Sequence, residues 1–219
     1  MSKRLTLDEI GLKYNTDKSS AFHNYLNLYD SYLEKIRDCE NKIMEIGILN
    51  GDSLSMFSEY FTKTQIFAFD IMDKRSFKKD GVEILVGDQS DRSFLNEFED
   101  SYFDFIIDDG SHKMEHQQIS IGILFKKLKP NGIYILEDLH TSLPNYIETI
   151  NYGNSLFGIN EDNRTIDFLN GILKDFGPNE YLSPYEYLYL KENIYSIDII
   201  ETSRRNDNNL SLTSIIIKK

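Results

Sequence analysis

Two short stretches of the chain crowd acids and imidazoles together: Asp108-Asp109-Gly110-Ser111-His112 and Glu137-Asp138-Leu139-His140. Each follows an apolar run, FDFIID or GIYIL, of the kind that forms a buried strand. As ends of neighbouring parallel strands, they would bring four carboxylates and two imidazoles to one rim. Like charges held that close are costly unless a cation neutralises them. Oxygen donors favour Mg²⁺, Mn²⁺ or Ca²⁺ over zinc, and Mg²⁺ takes a few carboxylates plus waters. Asp109, Glu137 and Asp138 are therefore the expected metal ligands, whereas Asp108 reads as a strand-end residue with no metal contact. His112 lies three residues beyond Asp109. An imidazole there, with an ordinary pKa of about 6.5, suits a general base acting on a metal-held substrate atom. His116 and His140 read as solvated or packing histidines.

Three further strand ends carry polar groups. The first is Glu45-Ile46-Gly47-Ile48-Leu49-Asn50-Gly51-Asp52-Ser53. Glycines at a strand-to-helix turn let a ligand approach the backbone, and the helix start offers free N–H groups. The spacing is not GxGxxG, because Ile48 and Leu49 stand between Gly47 and Gly51, and a pyrophosphate fits poorly there. Asp70 closes the next strand, about twenty residues on, where an acid accepts both ribose hydroxyls of an adenosine. Gly87-Asp88-Gln89-Ser90 closes the third, with groups able to read an adenine edge. A nucleoside lacking a diphosphate is the ligand this trio suggests, and S-adenosylmethionine (SAM) is the obvious one.

These sites need elements to position them. Tyr25, Leu28, Tyr29, Tyr32, Leu33 and Ile36 recur at helical spacing, so residues 1–40 read as a helical lead-in, with the tyrosines as core. Strands are expected at Lys42–Gly47, Gln65–Asp70, Val82–Val86, Phe103–Asp108 and Gly132–Leu136, with helices at Ser53–Phe61 and Met114–Leu128. Thr165–Phe176 reads as a further helix. Ile194–Thr202 and Leu210–Ile217 read as two strands joined by turn residues 204–209, which makes them antiparallel. The expected fold is α/β, a doubly wound, mostly parallel seven-stranded sheet with an antiparallel C-terminal hairpin. In such sheets ligands bind beyond the carboxyl ends of the strands. Nothing marks a boundary, so residues 1–219 are expected to be one domain, with 142–190 variable and carrying acceptor specificity. The Tyr-rich stretch Tyr181–Leu190 is expected to be a dimer face, making a homo-oligomer, or an acceptor lid.

Composition narrows the partners. The chain has 219 residues and a formal charge of −12, which argues against nucleic acid or an anionic membrane as its main partner. Cys39 is its only cysteine, excluding an internal disulfide framework and a multi-cysteine zinc site. No apolar run approaches the ~20 residues of a membrane span, and the first residues show no signal-peptide pattern. A cytoplasmic location is the resulting expectation.

Together, Asn15-Thr16-Asp17-Lys18 with His23, Tyr25 and Tyr29, then EIGILNGDS, FAFD, GDQSD, DDGSH and LED, resemble the metal-dependent class I SAM methyltransferases of the macrocin/mycinamicin sugar O-methyltransferase type. The match covers roughly residues 10–141. The resemblance implies a SAM site in which Glu45, Gly47, Asn50, Gly51 and Ser53 line the methionine and ribose, Asp70 takes the ribose hydroxyls, and Asp88 with Gln89 flanks the adenine. It places Thr16, Asp17, Lys18, His23 and Tyr25 over the cofactor and acceptor, counts Asp109 with the cofactor-binding residues, and implies Mg²⁺ or Mn²⁺ on Asp109, Glu137 and Asp138, with His112 as base. Macrolide-modifying members carry a separate N-terminal domain, for which this length leaves no room. A smaller sugar-like acceptor, from surface-glycan, capsule or secondary-metabolite synthesis, is the expected substrate. Rival readings are N-methylation of a small amine or phospho-amine, a nicotinamide-dependent oxidoreductase, and a non-catalytic SAM-binding partner protein.

Overall fold

The computed structural model describes residues 4–143, 163–174, 177, 180–203 and 210–219. Seven strands form one sheet: β1 (Asn41–Ile46), β2 (Thr64–Asp70), β3 (Val82–Val86), β4 (Phe103–Asp108), β5 (Leu128–Leu136), β6 (Ile194–Ser203) and β7 (Leu210–Lys218). Their order is β3-β2-β1-β4-β5-β7-β6. The first five are parallel, and β7 enters antiparallel between β5 and β6. This is the sheet expected from the sequence.

Alternate residues of each strand face opposite sides, and both sides are covered. Met44, Ile46, Phe69, Ile106 and Tyr134 belong to one core. Ile43, Ile66, Phe105, Ile107 and Ile135 belong to the other. Helices α1 (Leu7–Tyr14), α2 (Leu26–Leu33) and α3 (Asp52–Tyr60) bury their apolar residues in the second core. Helices α4 (Arg92–Asn96), α5 (Met114–Leu124), α6 (Thr165–Ile172) and α7 (Pro184–Asn193) cover the first. A strand packed on both faces must be apolar throughout, which is why these runs do not alternate with polar residues.

Three local readings are corrected. The helix expected to run to Leu128 ends at Leu124; a single 3₁₀ turn follows, and β5 begins at Leu128, four residues earlier than the expected Gly132. Pro130 sits within β5, where the register against β4 slips between Phe103 and Phe105, so its missing N–H costs no ladder bond. The short α4 was not foreseen; Asp91 caps it by accepting from Ser93 N and Phe94 N. The Tyr-rich stretch holds α7, opened by a capping box between Ser183 and Glu186 with Pro184 at the first helical position. Tyr187 and Leu190 are buried beneath it while Tyr185 and Leu188 stay exposed. The expected turn at 204–209 and residues 144–162, 175–176 and 178–179 of the acceptor region lie outside the described residues.

The chain runs outward from β1 through β2 to β3, and outward the other way from β4 to β5. A crevice opens where those directions diverge, at the ends of β1 and β4.

Candidate active site

Backbone bonds register the rim. Gly47 N donates to Phe69 O at 2.9 Å, Asp109 N to Ile46 O at 3.0 Å, and Glu137 N to Asp108 O at 3.0 Å. Each bond ties the residue after one strand to the end of its neighbour, so Gly47, Asp109 and Glu137 lie side by side. Several rim residues hold left-handed backbone: Leu49 at φ 45°, His112 at 57° and Asp138 at 56°, besides Gly47 at 86°. Such conformations cost about 1–3 kcal/mol each in a non-glycine residue and cluster at functional sites. At Gly47 no other residue fits, because a Cβ would overlap the Asp109 carbonyl.

Two cavities share this rim. The larger, about 420 Å³, runs from Asp70 and Met72 past Asp88 and Gln89 to His112 and Asp138. The smaller, about 150 Å³, is lined by Thr16, Lys18, Gly47, Asn50 and Ser53. Asp17 and Asp109 line both. Asp70 is fixed by two donors, Ile48 N at 2.9 Å and Met72 N at 2.8 Å. Glu45 is 1 % exposed, and neither of its carboxylate oxygens has a hydrogen-bond partner among the described residues. Burial pushes its carboxyl up to about 7, against the pull of the nearby Lys18 ammonium.

The acids beyond β4 and β5 are partnered unequally. Asp109, His112 and Asp138 bring ligand atoms within 4.8 Å of one another, a grouping that could hold a metal ion. His112 Nε2 stands 3.7 Å from Asp138 Oδ2 and 4.0 Å from Asp109 Oδ1, while its Nδ1 is buried without a partner among the described residues. Asp138 Oδ1 accepts from Tyr25 OH at 3.0 Å. Burial works against the Asp138 charge, but His112, His23 and His140 outweigh it and draw this carboxyl down to about 2. Glu137 stands deeper, 1 % exposed, with Oε2 2.9 Å from Lys18 Nζ and Oε1 2.9 Å from Tyr29 OH. Lys18 also pairs with Asp109. Burial raises the Asp109 and Glu137 carboxyls. It opposes the charge on Lys18, but Asp109 and Glu137 hold that ammonium well above the lysine range.

The N-terminal segment is closed over the rim by the far end of the chain. His23 Nδ1 lies 2.8 Å from Ser211 Oγ, Tyr25 OH reaches Leu212 O at 3.2 Å, and Tyr29 OH lies 2.8 Å from Thr213 Oγ1. Ser211, Leu212 and Thr213 belong to β7.

Of the residues singled out in the sequence, Thr16, Lys18, Gly47, Asn50, Ser53, Asp70, Asp88, Gln89, Asp109, His112 and Asp138 line one cavity or the other. Glu45, Gly51 and Glu137 do not, though Glu45 and Glu137 sit immediately behind that lining, against Lys18. Gln89 is already committed: its Nε2 donates to Asp108 at 2.7 Å and its Oε1 accepts from Ser111 N at 2.8 Å. Asp108 is a buried structural acid, bonded to Gln89, Ser120 and Tyr134, as its strand-end position suggests. His140 is 1 % exposed and accepts from Leu212 N at 3.3 Å, whereas His116 pairs with Ser111 and lines the larger cavity. The tyrosine stripe is core, as its spacing implies, but the Tyr25 and Tyr29 hydroxyls reach the acids, a role that apolar periodicity cannot signal. No residue of α7 lines either cavity.

No protein-family model matches the chain. Over 150 residues it is 33% identical to mycinamicin VI 2''-O-methyltransferase of Micromonospora griseorubida, covering 64% of this chain and 38% of that protein. It is 35% identical, with the same coverage, to demethylmacrocin O-methyltransferase of Streptomyces fradiae. Its homologues are macrocin/mycinamicin-type sugar O-methyltransferases. The solved structure of one such methyltransferase, MycE from the mycinamycin biosynthetic pathway in complex with Mg and SAH, superposes with a TM-score of 0.76 at 25% identity, covering 99% of this chain and 55% of that one. This homologue therefore spans about two fifths of the length of the curated sugar O-methyltransferases it matches. Among the described residues, no helix is long and apolar enough to cross a membrane.

Proposed function

We propose that the protein is a SAM-dependent, Mg²⁺-assisted O-methyltransferase acting on a hydroxyl of a sugar-bearing small molecule in the cytoplasm. The observation that carries this reading is the meeting of Asp109, His112 and Asp138 within 4.8 Å at one end of a cleft that closes on Asp70 at the other. Both groups fit the residues present. The unpartnered Glu45 carboxylate, buried behind the small cavity, is matched to an amino group, and Gly47 leaves backbone open where a side chain could not stand. Asp70 would hold the ribose. The acids offer hard oxygen donors for Mg²⁺, with Asp109, Glu137 and Asp138 as its holders.

When bound, SAM supplies an electrophilic methyl on a sulfonium, and Mg²⁺ supplies a Lewis acid for an acceptor oxygen. His112 takes the proton of the acceptor hydroxyl at Nε2, and the imidazolium so formed is stabilised by Asp138 and Asp109 at 3.7 and 4.0 Å. Tyr25 holds Asp138 from behind, so that Oδ2 stays turned toward His112. The direct test is transfer of labelled methyl from SAM to sugar and amine acceptors assayed side by side. Transfer to sugar hydroxyls, lost with EDTA and reduced about 10²–10⁴-fold in His112→Ala, is expected. Methylation confined to amines, or near-normal turnover without His112, would overturn the reading.

A further inference from the structure

Lys18 is 2 % exposed, so its ammonium must find its counter-charges inside the protein. It stands between Asp109 Oδ2 and Glu137 Oε2, two of the three oxygen-donor residues assigned to the metal. Its backbone is pinned, because its carbonyl accepts from Tyr25 N at 2.9 Å and Leu26 N at 3.2 Å at the start of α2. Glu137 is saturated from the protein side, with Lys18 on one oxygen and Tyr29 on the other. The oxygens still turned toward His112 are Asp109 Oδ1 and Asp138 Oδ2. One ammonium faces the charges of Asp109, Glu137, Asp17 and Glu45, so it relieves only part of their repulsion.

We propose that Lys18 is a built-in counter-cation of the metal centre: it holds the acids together when no ion is bound, and it competes with a divalent ion for Asp109 and Glu137. The proposal rests on the metal-centre reading above. It makes Lys18 a positioning residue that keeps metal affinity modest, and it couples ion loading to the segment folded onto α2. A lysine with only a packing role would leave ion affinity unchanged, or weaken it when replaced.

The test is a Mn²⁺ titration of the full chain without cofactor, read by electron paramagnetic resonance of the free ion. Lys18→Met and Lys18→Gln are expected to bind Mn²⁺ about tenfold more tightly than wild type, because a charge within contact distance of the ligands is gone. Lys18→Arg, which keeps the charge, is expected to stay near wild type. Folded neutral variants that bind no more tightly than wild type overturn the proposal. Wild-type protein that binds no Mn²⁺ overturns the metal-centre reading instead. If Lys18→Met melts without the ion, recovery of a cooperative transition on adding Mn²⁺ supports the proposal, and failure to recover overturns it.

Discussion

Glu45 shows how a single buried carboxyl can cost stability. In the unfolded chain its carboxyl titrates near the ordinary 4.5, but in the fold burial holds it near 7. Between those values only the unfolded state gives up the proton, so stability falls as pH rises through that window and levels off above it. Glu45→Gln is expected to remove this slope and to be more stable than wild type above pH 7, by roughly 3 kcal/mol at most. Urea unfolding of both proteins from pH 4.5 to 8 measures it; parallel curves would sink the idea. SAH, whose amino group would pair with the ionised acid, should shrink the difference between the two proteins.

At the scale of elements, the turn after β1 is the least tolerant part of the rim. Gly47→Ala places a Cβ on the Asp109 carbonyl and forces a left-handed backbone on alanine. A loss of about 1–3 kcal/mol of stability, with weakened SAH binding, is expected and can be read by denaturant unfolding and calorimetry. Gly51→Ala carries the same left-handed strain, at φ 75°, but its Cβ meets the base of the Phe77 side chain at 3.0 Å rather than backbone, and it should be milder. Much of this was legible in the sequence. Apolar runs closing on Gly47, Asp70, Asp108 and Leu136 marked the parallel strands, because a strand covered on both faces favours a near-continuous apolar run. The DDGSH and LED stretches marked the acids. What stayed hidden depended on contacts across the chain. The Lys18 bridge joins residues 91 and 119 positions apart, and the reach of Tyr29 to Glu137 spans 108. The early start of β5 was masked by Pro130, which reads locally as a stop and is tolerated only because a register slip removes its need to donate.

For the molecule as a whole, the two cavities are one system, since Asp17 and Asp109 line both. A ligand in one would change the charge that lines the other. SAH and Mn²⁺ together are therefore expected to raise the melting temperature by more than the sum of their separate effects, where a single ligand at about 100 times its Kd contributes some ~2.7 kcal/mol. Differential scanning calorimetry with each ligand alone and with both would show it, and strict additivity would mean independent sites. The strand that finishes the sheet has a second role. Ser211, Leu212 and Thr213 of β7 bind His23, Tyr25 and Tyr29, so stretches 184 to 188 positions apart meet over the rim. During synthesis the first five strands can assemble as they leave the ribosome, but the cover over the acids has nothing to fasten to until residues 211–213 emerge. Until that stretch is available, the crevice lacks the contacts that fasten His23, Tyr25 and Tyr29 over the acids.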